Sequence, residues 1–174
     1  SFPSGGIHPP EFKLTAGLQI RQLPVPSFVA IPVSQHIGAP AAVLVKKGDN
    51  VKTGQLIASV TGFVSSNIHS SVSGTVNKID TVTDTTGYKQ TAVFIDASGD
   101  DWVDTIDRSS NLVREIKASQ EKIIEKCREC GIVGLGGATF PSHVKLSVPK
   151  GKKCEVLIIN GVECEPYLTS DHRL

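Results

Sequence analysis

The sequence has no charge of one sign in excess: 18 basic residues against 17 acidic ones leave a formal charge of +1. No overall field therefore argues for nucleic acid or an anionic membrane surface as partner. No run of about 18 apolar residues occurs, which excludes a bilayer-spanning helix, and the opening "SFPSGGIHPPEFK" lacks the apolar core of a secretory signal. The chain reads as soluble and intracellular. Four cysteines in 174 residues are too few for a disulfide scaffold, so reduced thiols are expected. Methionine is absent altogether, and the chain stops at "SDHRL" with neither cap nor tail. Both features read as those of a processed or trimmed chain, a fragment.

What is present suffices for a packed core: 39% of residues are apolar, and the length suits one ordinary domain or two small ones. Three textures divide it. Residues 1–35 carry Pro3, Pro9, Pro10, Pro24, Pro26 and Pro32, which deny long helices and central strands and predict an extended, proline-rich arm. Residues 36–100 alternate short β-prone runs with glycine turns, as in "AAVLVKKGDNVKTGQLIASV", "SSVSGTVNKI" and "TAVFIDA", and predict a small all-β domain. After the polar bridge "SGDDWVDTIDRSS", residues 108–174 turn helical. In "SQEKIIEKCRECG", Ile123, Ile124, Cys127 and Cys130 share a face, Ser119 is placed to cap the start and Gly131 to end the helix. "CEVLIIN", residues 154–160, is a short, nearly continuous apolar run that predicts a buried strand, with "GVECEPY" as the loop after it. Helix, glycine loop, helix and strand open an α/β nucleotide-binding domain, so the fold expected is α+β and multidomain.

The stretch "GIVGLGGATFPSHVKL" places four glycines in its first seven positions. Gly134, Gly136 and Gly137 let the backbone approach a ligand with its N–H groups free. Pro141 suits the first turn of a following helix, and Lys145 lies about one helical turn beyond it. Such parts suit a phosphate. The order of elements excludes two familiar phosphate sites: G-x-G-x-x-G must follow a strand, and a P-loop needs G-x-x-x-x-G-K with Ser or Thr next. On spacing alone, a plain turn and a nucleotide loop both remain open.

"GLGGATFPSHVKL" together with "NGVECEPYLTSDHRL" resembles the flavin-binding segment of RnfC, a subunit of the Rnf electron-transport complex. That family is similar in turn to the flavin- and NADH-binding subunit of respiratory complex I. "GGIHPPEFK" resembles the entry segment of the Rnf subunit, and the resemblance covers essentially the whole chain. It implies that Gly134, Gly136, Gly137 and Ala138 form the flavin loop, that Lys145 meets the FMN phosphate, and that Phe140 helps to sandwich the nicotinamide dinucleotide. It further implies that Asn160 is directed at the flavin and that Glu163 and Glu165 line the flavin and NADH pocket. Backbone amides and a lysine for phosphate, an amide for ring polar atoms and carboxylates for ribose hydroxyls form a coherent set. The protein positions and the flavin does the chemistry.

Two departures from the family stand out. Thr139 replaces the usual glycine, which is costly if the position needs a positive φ, and Val162 replaces an aspartate typical of the complex I branch. The family's 4Fe-4S clusters need a cysteine-rich run that this chain does not contain. The resemblance of "VLVKKGDNVKTGQLIASV" and "SSVSGTVNKI" is to the lipoyl and biotinyl carrier fold, a barrel-sandwich hybrid. A working carrier has a lysine at the hairpin tip, whereas none occurs between Lys52 and Lys78 and Phe63 stands near that place. A structural or docking role is therefore expected of this domain rather than covalent carriage.

Other groups have plainer readings. Cys127 and Cys130 would share a helix face as buried or inert thiols, and neither they, Cys154 and Cys164, nor His8, His36, His69, His143 and His172 stand in metal-ligand spacing. Phe140 is also a candidate core residue, Glu163 and Glu165 also fit a solvated loop, and Asp171 and Arg173 fit a helix start or a local ion pair. The resemblance implies a peripheral subunit on the cytoplasmic side of the membrane that exchanges hydride between NADH and FMN and passes electrons to iron-sulfur clusters. Its partners would be the other Rnf subunits and, indirectly, ferredoxin. The alternatives are a cobalamin reductase and a non-catalytic assembly module.

Overall fold

The computed structural model describes residues 5–6, 9–135, 137–163 and 165–171. The chain divides into two compact units, Pro24–Lys150 and the combination of Ser1–Leu23 with Gly151–Leu174.

Seven strands build the first unit: β1 (Phe28–Pro32), β2 (Ala42–Val43), β3 (Asn50–Val51), β4 (Leu56–Ser59), β5 (Ile68–His69), β6 (Gly74–Thr83) and β7 (Lys89–Ala97). They form two antiparallel sheets, one ordered β1-β7-β6-β3 and the other β2-β4-β5. The core is aliphatic, with Ile31, Val33, Val45, Val51, Ile57, Ile68, Val76, Val93 and Ile95 packed together. Burying one such side chain contributes about 1.5–3 kcal/mol. In β7 the run Ala92, Val93, Phe94 and Ile95 is buried throughout, as a continuous apolar run between two neighbouring strands should be. Phe94 packs on Phe28 with 5.7 Å between ring centroids, and the Lys78 ammonium covers its face at 4.8 Å.

Turn chemistry sets the register of the longest hairpin. The Asp84 carboxylate accepts from the N–H groups of Thr86 and Tyr88, the Thr86 hydroxyl and Gln90 Nε2, so it ties the β6–β7 turn from both sides. At Gly74 the chain has φ +153° and runs so close to β7 that a Cβ would strike the Asp96 carbonyl oxygen. Strand structure begins earlier than the proline content suggests, because β1 lies within residues 1–35. Pro32 closes β1 on the outer edge of its sheet, where a missing N–H interrupts no inner ladder.

Helix α1 (Gln120–Glu129) starts where expected: Ser119 Oγ accepts from Lys122 N–H at 3.4 Å. It also ends where expected, at Gly131 with φ +66°. Its apolar face is only partly covered, since Ile124 and Cys127 are half-buried and Ile123 and Cys130 are exposed. Helix α2 (Ser142–Leu146) has five residues, and Pro141 stands at its N-cap rather than within its first turn. Among the described residues no helix is long and apolar enough to cross a membrane.

The second unit is irregular, and here the structure corrects the expectation for residues 154–160. The segment forms no strand, and Val156, Leu157, Ile158 and Ile159 are 67–82% exposed. A continuous apolar run becomes a buried strand only with a ladder partner and cover on both faces. The described residues of this unit form no strand to pair with it.

Candidate functional site

The glycine loop is closed at its neck by a short antiparallel pairing. Gly134 N–H donates to the Phe140 carbonyl at 3.0 Å, Ser142 N–H donates to the Ile132 carbonyl at 2.9 Å, and Val133 bridges Pro141, which is fully buried. Beyond the neck the loop is open: Leu135 is 88% exposed, and Gly137 and Ala138 are exposed too. The N–H groups of Leu135, Gly137 and Ala138 have no acceptor among the described residues. Lys145, on α2, brings its ammonium back over the loop, 3.6 Å from where a Cβ on Gly134 would lie. A Cβ on Gly137 would meet nothing within 4 Å. N–H groups without an acceptor among the described residues, an open glycine surface and a lysine ammonium from α2 are the kinds of group that bind a phosphate. Phe140 is half-buried at the neck, and Gly136 lies outside the described residues.

Thr139 is the non-glycine residue with positive φ among the described residues, at +50°. The position thus has the left-handed geometry that glycine favours, and threonine holds it against its side-chain preference. Two contacts hold it there: its hydroxyl donates to the Ala138 carbonyl at 2.7 Å, and its own carbonyl accepts from Ile37 N–H at 3.4 Å.

The tip of the β domain, residues 61–67, props this loop. His36 Nε2 accepts from Ser66 N–H at 3.1 Å, which places the ring proton on Nδ1, facing the Ile37 carbonyl at 3.3 Å. Asn67 Oδ1 accepts from Val60 N–H at 2.9 Å, while its Nδ2 donates to the Glu129 carbonyl at the end of α1 at 3.2 Å. Gly131 packs so closely on the Asn67 carbonyl that a Cβ would collide with it. His143, on α2, is buried and hydrogen-bonds the Phe63 main chain, and its Nδ1 has no partner. Burial, then the Arg128 charge, holds the His143 pKa below its ordinary value. The hairpin tip that would carry a lysine in a working carrier therefore supports the neck of the glycine loop. A cavity of about 250 Å³ lies beside it, lined by Gln35, His36, Ser66, Asn67, Cys130 and Leu135. Ser66 Oγ, on its lining, is buried with no hydrogen-bond partner among the described residues.

Asn160, Glu163 and Glu165 belong to the other unit. Asn160 Oδ1 accepts from Val162 N–H at 3.0 Å, which folds the loop start into an Asx turn. The Glu163 side chain is 12% exposed and pairs with Lys13 Nζ at 3.4 Å. The same ammonium donates to the carbonyls of Glu165 at 2.8 Å and Leu168 at 2.6 Å. Glu165 is exposed and opens a turn in which Leu168 N–H donates to its carbonyl at 3.3 Å.

Lys13 was not legible as a site residue, because its partners lie 150 to 155 positions away. His36 and Asn67 escaped for the same reason. Cys130 and Cys154 are exposed free thiols and Cys127 is half-buried, so of the two thiols on α1 only Cys127 is partly covered. Among the described residues no three His, Cys, Asp or Glu side chains gather as metal ligands. Cys164, His172 and Arg173 lie outside the described residues, as does His8.

Two family models match the chain: the RnfC barrel sandwich hybrid domain over residues 2–100, and the Nuo51 FMN-binding domain over residues 127–174. Among curated relatives, the C subunit of the proton-translocating ferredoxin:NAD(+) oxidoreductase complex of Clostridium ljungdahlii is 50% identical, covering 97% of this chain and 37% of the relative. The C subunit of the Na(+)-translocating ferredoxin:NAD(+) oxidoreductase complex of Acetobacterium woodii is 45% identical, covering 98% of this chain and 38% of the relative. The corresponding subunit of the ion-translocating oxidoreductase complex of Rhodobacter capsulatus is 42% identical, covering 98% of this chain and 33% of the relative. The chain thus spans less than two fifths of the length of these relatives.

Proposed function

This chain belongs to the RnfC family through its barrel-sandwich hybrid domain, and on that premise we propose that it is part of an FMN-binding subunit of an ion-translocating ferredoxin:NAD oxidoreductase complex. The observation that carries the reading is the glycine loop itself. Open N–H groups at Leu135, Gly137 and Ala138 and the Lys145 ammonium beside Gly134 are arranged for a phosphate. The match to an FMN-binding domain supports FMN as the owner of that phosphate.

In this reading Gly134, Gly136, Gly137 and Ala138 form the flavin loop, Lys145 binds the phosphate, and Phe140 lies against the nicotinamide dinucleotide. Asn160 orients the flavin ring, and Glu163 and Glu165 receive the ribose hydroxyls of NADH. The flavin supplies the chemistry, exchanging two electrons with a nicotinamide and one at a time with a cluster. The chain's own contribution is to hold the phosphate, exclude alternative ring orientations and place carboxylate acceptors. The 4Fe-4S clusters that take the electrons belong to the full-length protein. The partners are the other subunits of the Rnf complex and, through them, ferredoxin, with the protein peripheral on the cytoplasmic side of the membrane.

The test is anaerobic addition of NADH to the FMN-loaded full-length subunit, followed by the flavin's visible absorption band. Bleaching on addition, with a higher NADH requirement in Glu163→Gln, is the expected result. A full-length protein that retains no flavin, or a flavin that NADH leaves oxidised, overturns the reading.

A further inference from the structure

The N-terminal arm is built into the acidic loop. Phe12 N–H donates to the Pro166 carbonyl at 3.3 Å, the Phe12 and Tyr167 rings stack with centroids 5.6 Å apart, and the hydroxyls of Thr15 and Thr169 meet at 2.9 Å. Between these contacts stands Lys13, whose ammonium meets three oxygens at once: the Glu165 and Leu168 carbonyls and the Glu163 carboxylate. A lysine ammonium has three donors and no acceptor, so this arrangement saturates it. The neighbouring contacts of Phe12 and Thr15 fix where it sits.

We infer that Lys13 is a positioning residue for dinucleotide binding: it locks the turn at residues 165–168 and holds the Glu163 carboxylate in place to receive NAD(H). The inference rests on the reading that Glu163 faces the dinucleotide. Two considerations carry it beyond a simple clasp. A carboxylate as sheltered as that of Glu163 loses much of its hydration, and a cation beside it offsets that loss. The expected ligand also carries a pyrophosphate, which the carboxylates of Glu163 and Glu165 would repel. A fixed ammonium against the loop weakens that repulsion.

The experiment uses the full-length, FMN-loaded subunit, with NAD+ as the probe in calorimetric titration and hydrogen exchange read at residues 165–168. Lys13→Met, which keeps the aliphatic stem, is expected to weaken NAD+ binding about tenfold, with flavin content unchanged and exchange at Leu168 accelerated. Glu163→Gln is expected to weaken NAD+ binding as well, and the double variant to fall short of the product of the two effects. Lys13→Arg keeps the charge but replaces a tetrahedral donor with a planar fork, so a loss of about threefold is expected. It decides the matter alone if Lys13→Met does not accumulate as folded protein. NAD+ affinity within twofold of wild type in the Lys13 variants, while Glu163→Gln weakens it, overturns the inference and leaves the proposed function standing. NAD+ affinity unchanged in Glu163→Gln overturns the inference together with the assignment of Glu163 to the dinucleotide.

Discussion

Replacing Thr139 by glycine tests whether the loop is strained where the structure places the strain. A left-handed conformation costs an L-residue about 1–2 kcal/mol, and β-branching adds to the crowding. Thr139 has φ +50° and lies within the glycine loop. Glycine removes that cost but gives the unfolded chain about 0.4–1 kcal/mol more conformational freedom to lose. It also forfeits the exposed bond from the Thr139 hydroxyl to the Ala138 carbonyl. The net expectation is stabilisation by about 0.5 kcal/mol, whereas at an ordinary negative φ the same substitution would destabilise by about that much or more. Thr139→Ala serves as control, since it removes the hydroxyl but keeps a Cβ in the strained geometry, and it should bring no gain. Equilibrium urea unfolding followed by the fluorescence of Trp102, the one tryptophan in the sequence and a member of the same unit, gives the sign. The midpoint should rise without a change in slope. A loss of about 1 kcal/mol in Thr139→Gly would refute the left-handed assignment and the strain built on it.

Asn67→Ala removes both the acceptor for Val60 N–H and the donor to the Glu129 carbonyl, and should cost about 1–3 kcal/mol in the same urea assay. A cost near zero would mean that the β-domain tip does not support the end of α1. Burial holds His143 and His69 below their ordinary value of 6.5. Their contribution is therefore fully present above pH 6.5 and declines as pH falls through the lowered folded-state values, because the unfolded imidazoles take up protons that the folded ones resist. His143→Leu should reduce the slope of stability against pH below that value, whatever it does to the absolute stability. An unchanged slope would show that His143 is not a buried neutral group.

Local chemistry was legible in the sequence, and non-local pairing was not. Ser119 and Gly131 marked the ends of α1 because capping depends on neighbours three or four residues away. The β-prone runs between residues 37 and 97 announced their sheets through glycine turns and apolar alternation. Proline concealed β1, since an edge strand tolerates what an inner strand does not. "CEVLIIN" read as a strand by composition, yet composition supplies no ladder partner, and the segment stands exposed. Of the glycine loop, sequence showed the glycines, Pro141 and Lys145, together with the doubt over Thr139 that its positive φ answers. It could not show that Asn67 reaches the end of α1 or that Phe63 meets His143, nor that Lys13 reaches the acidic loop. Such contacts join residues up to 155 positions apart and leave no local pattern.

The central claim is that the glycine loop binds the phosphate of a flavin nucleotide. Titration of FMN against the full-length protein and its Lys145→Ala variant, followed by quenching of flavin fluorescence, tests it most directly. One FMN per chain, with affinity falling about tenfold or more when the lysine ammonium is removed, is the predicted result. Equal affinity in the two proteins would contradict the assignment of Lys145 and the loop to the phosphate.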